Sequence, residues 1–334
     1  MTRNKVAVVT GASAGIGRAT ALALAHQGWN IGLIARGKEG LEGAQRDVEA
    51  LGVEALAIQA DVAAADAMFR AAQQVSDRWG QIDLWINNAM VTVFSEFDDL
   101  TPEEYKRVTE VTYLGQVHGT MAALKHMRPH NAGTIVQIGS ALAYRSIPLQ
   151  SAYCGAKAAV RGFTDSLRTE LEHQGSNIRL TMVQLPAMNT PQFSWARTHF
   201  DHQPMPVEPI YEPQAVAEEI IRAAYEAPRE LWVGKTAVEA ILGTMVAPGQ
   251  LDGMMADKAF DGQLTNEPVS PNRADNLFEP VAGDFGVTGE FDRQAKQSVR
   301  SFRPARLRAA IMVAGVVVTA GLGAIAASAA QRLK

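Results

Sequence analysis

Seven short apolar runs recur along the chain, and stretches with helical periodicity stand between them. Most of the runs are apolar at consecutive positions, as expected for strands that are covered on both faces. Strands of this kind that alternate with helices predict an α/β fold built on a doubly wound parallel sheet. One helix start is also marked, because Thr101, Pro102 and Glu104 form the pattern of a capping box. The runs are VAVVT (6–10), NIGLIAR (30–36), EALAIQAD (54–61), IDLWINNA (82–89), TIVQIG (134–139), IRLTMVQL (178–185) and ELWVG (230–234).

The composition limits the class of protein. The 334 residues are 47% apolar and 20% charged, which is enough to bury a large core in one domain or in two smaller ones. The net charge is -4 and no basic stripe with aromatic residues precedes residue 290, so we expect no nucleic-acid partner. The single Cys154 excludes an intramolecular disulfide and suits a reducing compartment. The chain begins without a signal peptide, so we expect its body in the cytoplasm.

A glycine-rich turn follows the first apolar run. Gly11, Gly15 and Gly17 precede a helix of apolar periodicity at 18–27. A strand, a glycine turn and a helix in this order bring backbone N–H groups and the helix dipole onto a pyrophosphate. The spacing G-x-x-x-G-x-G differs from the G-x-G-x-x-G of the common dinucleotide fingerprint. The alternative interpretation is a turn that opens a helix and holds no ligand.

A hydroxyl, a phenol and an amine are grouped around the fifth run. Ser140 ends that run, at the edge where open parallel sheets place their ligands. Tyr153 and Lys157 stand four residues apart on the following helix and therefore share one of its faces. A nearby ammonium favours the phenolate, which would lower the pKa of Tyr153 and make this residue a general acid or base. The alternative is a solvated helix face without a catalytic role.

The order of these motifs resembles that of the short-chain dehydrogenase/reductase family. The motifs are TGASAGIG (10–17), Asp61-Val62, NNA (87–89), Ser140 and YCGAK (153–157). The resemblance covers roughly residues 5–245, and five motifs in one order make a chance match improbable. It implies a Rossmann fold, a nicotinamide cofactor and a homo-oligomer that pairs through the long helices containing Thr112 and Tyr153.

The resemblance also implies roles for the catalytic residues. Tyr153 would exchange a proton with the substrate oxygen, and Ser140 would donate a hydrogen bond to that oxygen. Lys157 would lower the pKa of Tyr153 and hold the nicotinamide ribose. All three would therefore act on the reacting end of the cofactor and substrate.

Further roles concern the rest of the cofactor. The turn with Gly11, Gly15 and Gly17, together with Ile16, would cradle the pyrophosphate. Two further residues follow later apolar runs: Asp61 would contact the adenine, and Asn88 would support the sheet edge beside the cofactor. For Asp61 the alternative is a strand-end residue that caps a turn.

The choice of cofactor can be argued from the second run. An acidic side chain at the end of this strand binds the ribose 2'-OH, whereas a nearby Arg accommodates a 2'-phosphate. The run ends in Ala35-Arg36, with no acid before Glu39. We therefore predict NADP(H), with Arg36 in contact with the phosphate and Ser13 assisting. The alternative is that Arg36 is an exposed cation at a helix start.

Three positions depart from the family pattern. Thr112 stands where the family usually carries an Asn that helps to hold a water between the active-site Lys and solvent. A Thr hydroxyl also donates and accepts, so we predict a modest role for Thr112 in the proton relay. Met90 replaces the glycine after NNA, where it would line the substrate entrance or demand a different turn. In LPAMNTP (185–191), which resembles the loop around the nicotinamide, Ala187 replaces a glycine and Thr190 is retained.

A long segment at 192–212 has no sustained period and is rich in prolines and aromatic residues. Such loops are usually lids or binding elements, and its apolar side chains predict a substrate wall or a docked lid. His199 and His202 lack converging acids or cysteines, so no metal site is expected. The candidate wall residues are Phe193, Trp195, Phe200 and Met205.

The C-terminal part of the chain changes in character. We place the catalytic domain at 1–245. Residues 246–302 are rich in Gly, Pro, Asp and Asn, which predicts an extended segment that lies across the domain or tethers it. Residues 303–334 form a basic flank and an uncharged stretch.

The uncharged stretch occupies 309–330 and is long enough, as a helix of about 33 Å, to cross a bilayer core. Arg303, Arg306 and Arg308 precede it and favour a cytoplasmic N-terminal side. We therefore predict a single membrane-spanning anchor. A buried or oligomer-packing helix is the alternative.

These patterns predict an NADP(H)-dependent oxidoreductase that interconverts a carbonyl and an alcohol by hydride transfer, with Tyr153 as general acid or base. An anchor near lipid and an apolar lid favour a lipophilic small-molecule substrate. One alternative is a sugar or polyol dehydrogenase. The other is a non-catalytic NADP(H)-binding sensor or scaffold at the membrane, although Ser140 and Lys157 speak against it.

Overall fold

The computed structural model describes residues 4–305. The strands are β1 (Val6–Thr10), β2 (Asn30–Ala35), β3 (Ala55–Gln59), β4 (Leu84–Asn87), β5 (Val93–Phe94), β6 (Thr134–Ser140), β7 (Arg179–Leu185), β8 (Arg197–Thr198), β9 (His202–Pro204), β10 (Glu230–Val233), β11 (Leu264–Pro268) and β12 (Ser301–Phe302). The helices are α1 (Gly15–Ala25), α2 (Lys38–Glu49), α3 (Ala65–Trp79), α4 (Pro102–Thr109), α5 (Gly115–Met127), α6 (Ser151–His173), α7 (Gln192–Trp195), α8 (Pro213–Glu226), α9 (Lys235–Val246) and α10 (Pro248–Lys258). A π-helical turn at Glu110–Leu114 joins α4 to α5.

Eight strands form one twisted sheet in the order β12-β10-β7-β6-β4-β1-β2-β3. The seven strands from β10 to β3 are parallel, which confirms the predicted doubly wound sheet and all seven predicted strands. The chain reverses its direction across the sheet at β1, where Val8 pairs with Gly32 on one side and with Trp85 on the other. The crevice beside this reversal is where such sheets bind ligands.

Both faces of the central strands are covered. Along β1, Ala7 and Val9 belong to one apolar core, whereas Val6 and Val8 belong to the core on the opposite face. This alternation follows from the two-residue period of a strand, and burial on both faces accounts for the continuous apolar runs. Helices α1 and α8 pack on one face, and α3 and α5 on the other.

The predicted start of α4 is confirmed. Thr101 Oγ1 accepts a hydrogen bond from the Glu104 N–H at 3.2 Å, and the Glu104 carboxylate accepts from the Thr101 N–H at 3.0 Å. Pro102 occupies the first helical position. The two reciprocal bonds satisfy N–H groups that a helix otherwise leaves without partners at its start.

The segment at 246–302 is more regular than its composition predicts. It contains α10, β11 pairs with β9, and β12 adds an antiparallel eighth strand through Trp232 and Phe302. The helix α10 therefore departs from the predicted extended segment, whereas β11 and β12 are extended. The start of α10 at Pro248 follows the preference of proline for the first helical turn, a signal that the surrounding Gly and Asp residues obscure.

The predicted membrane span at 309–330 lies outside the described residues, as do Arg306 and Arg308. Arg303 is described and pairs with Glu226. Between residues 4 and 305, no helix has both the length and the apolar character that crossing a bilayer requires.

Candidate active site

A cavity of about 630 Å³ opens along the carboxyl ends of the central strands. It brings together most of the residues predicted from the sequence, although they are spread over nearly 180 positions of the chain. The exceptions are Gly17 and Thr112, which are absent from its wall. The predicted residues in the wall are Gly11, Ser13, Gly15, Ile16, Arg36, Asp61, Asn88, Ser140, Tyr153, Lys157 and Thr190.

The glycine turn keeps its shape because side chains do not fit there. Gly11 has a φ of +67°, and an added Cβ would lie 2.9 Å from the Ala89 Cα. A Cβ on Gly17 would lie 2.2 Å from the Gly11 carbonyl oxygen. Gly17 therefore packs α1 against the turn instead of cradling a ligand, which corrects its predicted role. The Gly15 N–H donates to the Gly286 carbonyl at 3.0 Å, so it is not the free pyrophosphate donor that the motif predicts.

Asn88 joins the end of β4 to the same turn. Its side-chain Nδ2 donates to the Thr10 carbonyl at 2.9 Å, and its backbone N–H donates to Thr10 Oγ1 at 2.9 Å. The Ala89 N–H also donates to Thr10 Oγ1. These buried bonds hold two adjacent strand ends together at the edge where the cavity lies.

The candidate catalytic residues Ser140, Tyr153 and Lys157 lie on β6 and α6. Lys157 is 1% exposed, and its Nζ donates to the Ile138 carbonyl at 2.7 Å. The same Nζ lies 5.6 Å from the centre of the Tyr153 ring. Ser140 Oγ accepts a hydrogen bond from the Leu142 N–H at 3.1 Å. One amine therefore lies beneath the phenol while its position is set by a backbone carbonyl.

The pKa values of the pair differ from the sequence-based prediction. Burial raises the pKa of Tyr153, and a hydrogen bond from Ser140 opposes that change only in part. Burial also lowers the pKa of Lys157 to about 7. The predicted lowering of the phenol pKa by Lys157 is therefore not seen, because removal from water disfavours the charged form of both groups.

Thr112 is fully buried in the π-helical turn, and its hydroxyl makes two hydrogen bonds with the backbone of Val91. Its Oγ1 donates to the Val91 carbonyl at 2.8 Å and accepts from the Val91 N–H at 3.0 Å. The hydroxyl has a single proton, so none is left for the predicted water relay. Thr112 thereby fixes the segment that follows Asn88.

We expect Thr112→Val to lower the free energy of unfolding by about 1–3 kcal/mol, because both polar groups of Val91 lose a buried partner. Urea unfolding measures this loss. Thr164→Val is the matched control, since the Thr164 hydroxyl is buried but donates only within its own helix, to the Val160 carbonyl. The pH dependence of turnover should stay as in the wild type. A displaced pH profile without loss of stability would instead support the relay role.

The far end of the cavity is bordered by charged residues. Asp61 pairs with Arg107 and accepts a hydrogen bond from the Ala63 N–H at 2.9 Å. Burial alone would raise the pKa of Asp61, but these two donors outweigh it and lower that pKa. Arg36 donates to the backbone carbonyls at positions 276, 277 and 278. The alternative of an exposed cation at a helix start is therefore wrong for Arg36.

The predicted apolar wall is largely present. Phe193, Trp195 and Met205 line the cavity, as does Met90. Phe200 does not, because its ring packs against that of Phe260 with centroids 6.2 Å apart.

The two histidines of the same segment show no metal-binding arrangement. His199 Nε2 lies 3.0 Å from Glu104 Oε1. In the part of the chain that the structure describes, no three His, Cys, Asp or Glu side chains are grouped as metal ligands.

Part of the wall comes from the C-terminal segment and has no counterpart in the predicted site. α10 contributes apolar side chains, and residues 276–285 contribute to the end of the cavity that Asp61 and Arg36 border. No periodicity or motif marks these residues, so the sequence offered no signal for them. They are Leu251, Met254, Met255, Lys258, Ala259, Asn276, Pro280, Val281, Gly283 and Phe285.

Comparison with known proteins identifies the family. The short chain dehydrogenase profile matches residues 5–199. The chain belongs to the short-chain dehydrogenase family. This dehydrogenase is 32% identical over 323 residues to YxnA of Bacillus subtilis, named as an uncharacterized oxidoreductase, and the match covers 95% of this chain and 90% of YxnA. The short-chain dehydrogenase is thus an oxidoreductase of a family that binds nicotinamide cofactors.

Two solved structures resemble this short-chain dehydrogenase. A short-chain dehydrogenase from Streptomyces avermitilis matches with a TM-score of 0.64 and 28% identity, over 77% of this chain and 95% of that chain. An alcohol dehydrogenase from the archaeon Thermococcus sibiricus, complexed with 5-hydroxy-NADP, matches with a TM-score of 0.57 and 26% identity. That match covers 69% of this chain and 96% of the other.

The cavity of this dehydrogenase fits a dinucleotide. The glycine turn after β1 is part of the wall, and Gly11 in it leaves no room for a Cβ. In folds of this kind the pyrophosphate of the cofactor binds at that turn. Asn276 adds a side-chain oxygen that is buried and has no hydrogen-bond partner among residues 4–305. Gly11, Ser13 and Ile16 would hold the pyrophosphate, and Lys157 with Thr190 the nicotinamide half.

Proposed function

We propose that this short-chain dehydrogenase interconverts a carbonyl and an alcohol with NADP(H), and that Tyr153 is its general acid and base. The proposal rests on one observation above all: Ser140, Tyr153 and Lys157 line the same cavity as the glycine turn. Fold alone does not establish an activity, but this grouping of a hydroxyl, a phenol and an amine suits proton transfer beside a dinucleotide. The alcohol dehydrogenase from Thermococcus sibiricus, complexed with an NADP derivative, offers support by similarity.

The chemistry divides between cofactor and protein. The nicotinamide supplies a hydride to the carbonyl carbon or accepts one from the alcohol. Tyr153 gives its phenolic proton to the carbonyl oxygen in reduction and takes it back in oxidation, so that one hydride and one proton complete the alcohol. Burial raises the pKa of Tyr153, which keeps the phenol protonated at neutral pH and suited to donation.

The two neighbours of Tyr153 assist this proton transfer. The Ser140 hydroxyl donates to the substrate oxygen and orients it towards the phenol. A protonated Lys157 beneath the ring would favour the phenolate that forms in reduction, although burial dominates the pKa of Tyr153 in the resting protein. With a pKa near 7, Lys157 also exchanges a proton near neutral pH and so helps to restore the phenol.

The composition of the wall favours a lipophilic substrate. Phe193, Met205, Leu251, Met254 and Met255 all line the cavity. A sugar or polyol would need a convergent set of polar partners for its hydroxyl groups, so this wall speaks against that alternative. A sensor without turnover would not need the reactive residues to share the cavity, which speaks against the second alternative.

The cofactor is proposed to be NADP(H), with Arg36 near the 2'-phosphate. Both terminal nitrogens of Arg36 donate to backbone carbonyls, but a guanidinium has five N–H groups. Its Nε–H and one terminal N–H therefore stay available to a phosphate. No acidic side chain follows β2 before Glu39, so no carboxylate at the end of β2 would repel the 2'-phosphate.

Purified protein is expected to oxidise NADPH in the presence of apolar ketones or aldehydes. The KM for NADPH should be at least about ten-fold below that for NADH, the effect of one charge-assisted hydrogen bond. A panel of apolar carbonyls, sugars and polyols, assayed with both cofactors in both directions, measures this. A clear preference for NADH would refute the cofactor assignment, and lack of turnover throughout the panel would refute the enzymatic proposal.

A further inference from the structure

Residues 274–292, which we call the cover segment, run along the cavity from Arg36 at its nucleotide end to Asn189 beside Thr190. This stretch belongs to residues 246–302, which we call the C-terminal extension, and it is far in sequence from the strands it contacts. It has little regular structure of its own, so its position depends on ties to the rest of the protein. Arg197 provides one such tie, because it pairs with Asp275 at 2.9 Å. Three arginines near the nucleotide end, Arg18, Arg36 and Arg107, provide others.

Two of these arginines hold the start of the cover segment. Arg36 donates to three consecutive carbonyls, including that of Leu277, and Arg107 Nε donates to the same Leu277 carbonyl at 3.0 Å. Arg107 also pairs with Asp61, the residue expected beside the adenine. The Leu277 side chain is fully buried in the apolar core that includes Val62. The start of the segment is therefore held next to Asp61, where the adenine is expected.

The third arginine holds the middle of the segment. Arg18 is buried and lies between two carboxylates, Asp47 on α2 and Asp284 on the cover segment. Its guanidinium lowers the pKa of Asp284, as expected for an ion pair. Gly43 on α2 allows this approach, since an added Cβ would lie 2.0 Å from Asp284 Oδ2. Nearby, the Gly15 N–H donates to the Gly286 carbonyl.

The cover segment borders the cavity without filling it. Asn276, Pro280, Val281 and Phe285 line one side, and the glycine turn lines another. The Asn276 backbone is held at both ends, because its N–H donates to the Trp195 carbonyl at 3.0 Å and its carbonyl accepts from Arg36. Its side-chain Oδ1 is buried without a partner among the described residues. A fixed amide whose oxygen has no partner is a polar group of the cavity wall that a ligand would satisfy.

We propose that the cover segment is the outer wall of the cofactor site, that Asn276 binds the adenine through its amide, and that the dinucleotide dissociates only when this segment detaches. The inference rests on the proposed function, because it presupposes a bound dinucleotide. A carboxamide presents a donor and an acceptor side by side and matches the N6 amino group and N7 of adenine. The residues that carry this role belong to the extension, outside the part of the chain that the family profile matches.

Adenine recognition is tested with a cofactor analogue. In the hypoxanthine analogue of NADPH an oxygen replaces the N6 amino group, so the amide loses one bond. The wild type should bind NADPH about ten-fold more tightly than this analogue, and Asn276→Leu should lower that ratio to the part that Asp61 contributes. Fluorescence titration of the reduced nicotinamide gives both Kd values. An unchanged ratio in the variant would overturn the role of Asn276, whatever its effect on stability.

Release of the cofactor is tested with two pairs of variants. Asp284→Asn and Asp47→Asn each remove one carboxylate from Arg18, but only the first loosens the cover segment. Gly43→Ala inserts a methyl group against Asp284, whereas Gly162→Ala on α6 has no atom within 4 Å of the added Cβ. NADPH dissociation, followed by stopped-flow chase with excess NADP⁺, should accelerate about ten-fold in Asp284→Asn and Gly43→Ala. The two controls should stay near the wild-type rate.

The possible results separate this inference from the proposed function. Equal dissociation rates in all four variants would overturn the cover role while the enzyme still binds NADPH and turns over. Binding of neither NADPH nor NADH to the wild type would overturn the proposed function, and this inference with it. Faster release only in Asp284→Asn and Gly43→Ala supports the cover role.

Discussion

Tyr153→Phe should lower kcat by about 10²–10⁴-fold, the usual contribution of a positioned general acid. The substitution removes one hydroxyl and leaves the ring, so the packing around Lys157 is retained. Cofactor binding should therefore change little. Steady-state kinetics with the best carbonyl of the panel, together with the Kd for NADPH, measure the two effects separately.

The control for this variant is Tyr144→Phe. Tyr144 is also a phenol whose pKa burial raises, but its hydroxyl bonds to Glu230 at 2.8 Å and it is not part of the cavity wall. Turnover by the folded Tyr144→Phe protein should stay close to that of the wild type. Retention of wild-type turnover by Tyr153→Phe would contradict the proposed mechanism, since no other phenol lines the cavity within the described residues.

Lys157→Met should abolish most turnover and yet stabilise the folded protein, in a manner that depends on pH. Burial lowers the pKa of Lys157 from 10.5 to about 7. Below pH 7 the folded state must carry a buried ammonium, so this penalty to stability is fully present there. Between pH 7 and 10.5 the unfolded chain holds a proton that the folded protein has released, so stability rises with pH. Above pH 10.5 both states are neutral and the penalty is gone.

The increase in the free energy of unfolding caused by Lys157→Met should therefore be greatest at or below pH 7. The link between pKa and stability sets it there at about 3–5 kcal/mol, and it should fall towards zero near pH 10. The lost bond to Ile138 reduces this gain only in part, because Gln116 Nε2 still donates to the Ile138 carbonyl at 2.9 Å. Urea unfolding at pH 6.5 and pH 9.5 measures the difference. Lys125→Met, an exposed lysine on α5, should show no such pH-dependent gain. A gain in Lys157→Met that is equal at both pH values would contradict this account.

A stabilising loss of function has a simple physical reason. Water solvates an exposed ammonium, whereas the site of Lys157 offers the Ile138 carbonyl oxygen and the Tyr153 ring in its place. Under the proposed mechanism, an amine beneath the phenol is needed for chemistry and not for folding, which explains why the folded protein keeps a group that costs stability. Perturbed groups of this kind cluster at active sites.

The extension changes how the nucleotide end of the site should behave. In the predicted arrangement, Arg36 faces the cofactor phosphate as a freely available cation. In the folded protein, Arg36, Arg107 and Arg18 are also among the groups that hold the cover segment. A single substitution at Arg36 would therefore alter both phosphate binding and cofactor release, so variants of Asp284 and Gly43 separate the two effects better.

Much of the fold was determined by the sequence alone. The seven parallel strands, the glycine turn and the start of α4 are marked by local patterns, because strand burial and helix capping depend on residues close together in the chain. The positions of Ser140, Tyr153 and Lys157 follow from the same logic. A strand end and the next helix must meet at one edge of the sheet.

Only the tertiary structure decided the rest, because the deciding contacts join residues far apart in the chain. Arg36 meets carbonyls about 240 positions later, and no local pattern predicts that pairing. The pKa values of Tyr153 and Lys157 depend on burial by several elements at once, which is why the predicted direction for the phenol was wrong. Thr112 likewise gave its hydroxyl to Val91, a partner that the spacing of motifs does not reveal.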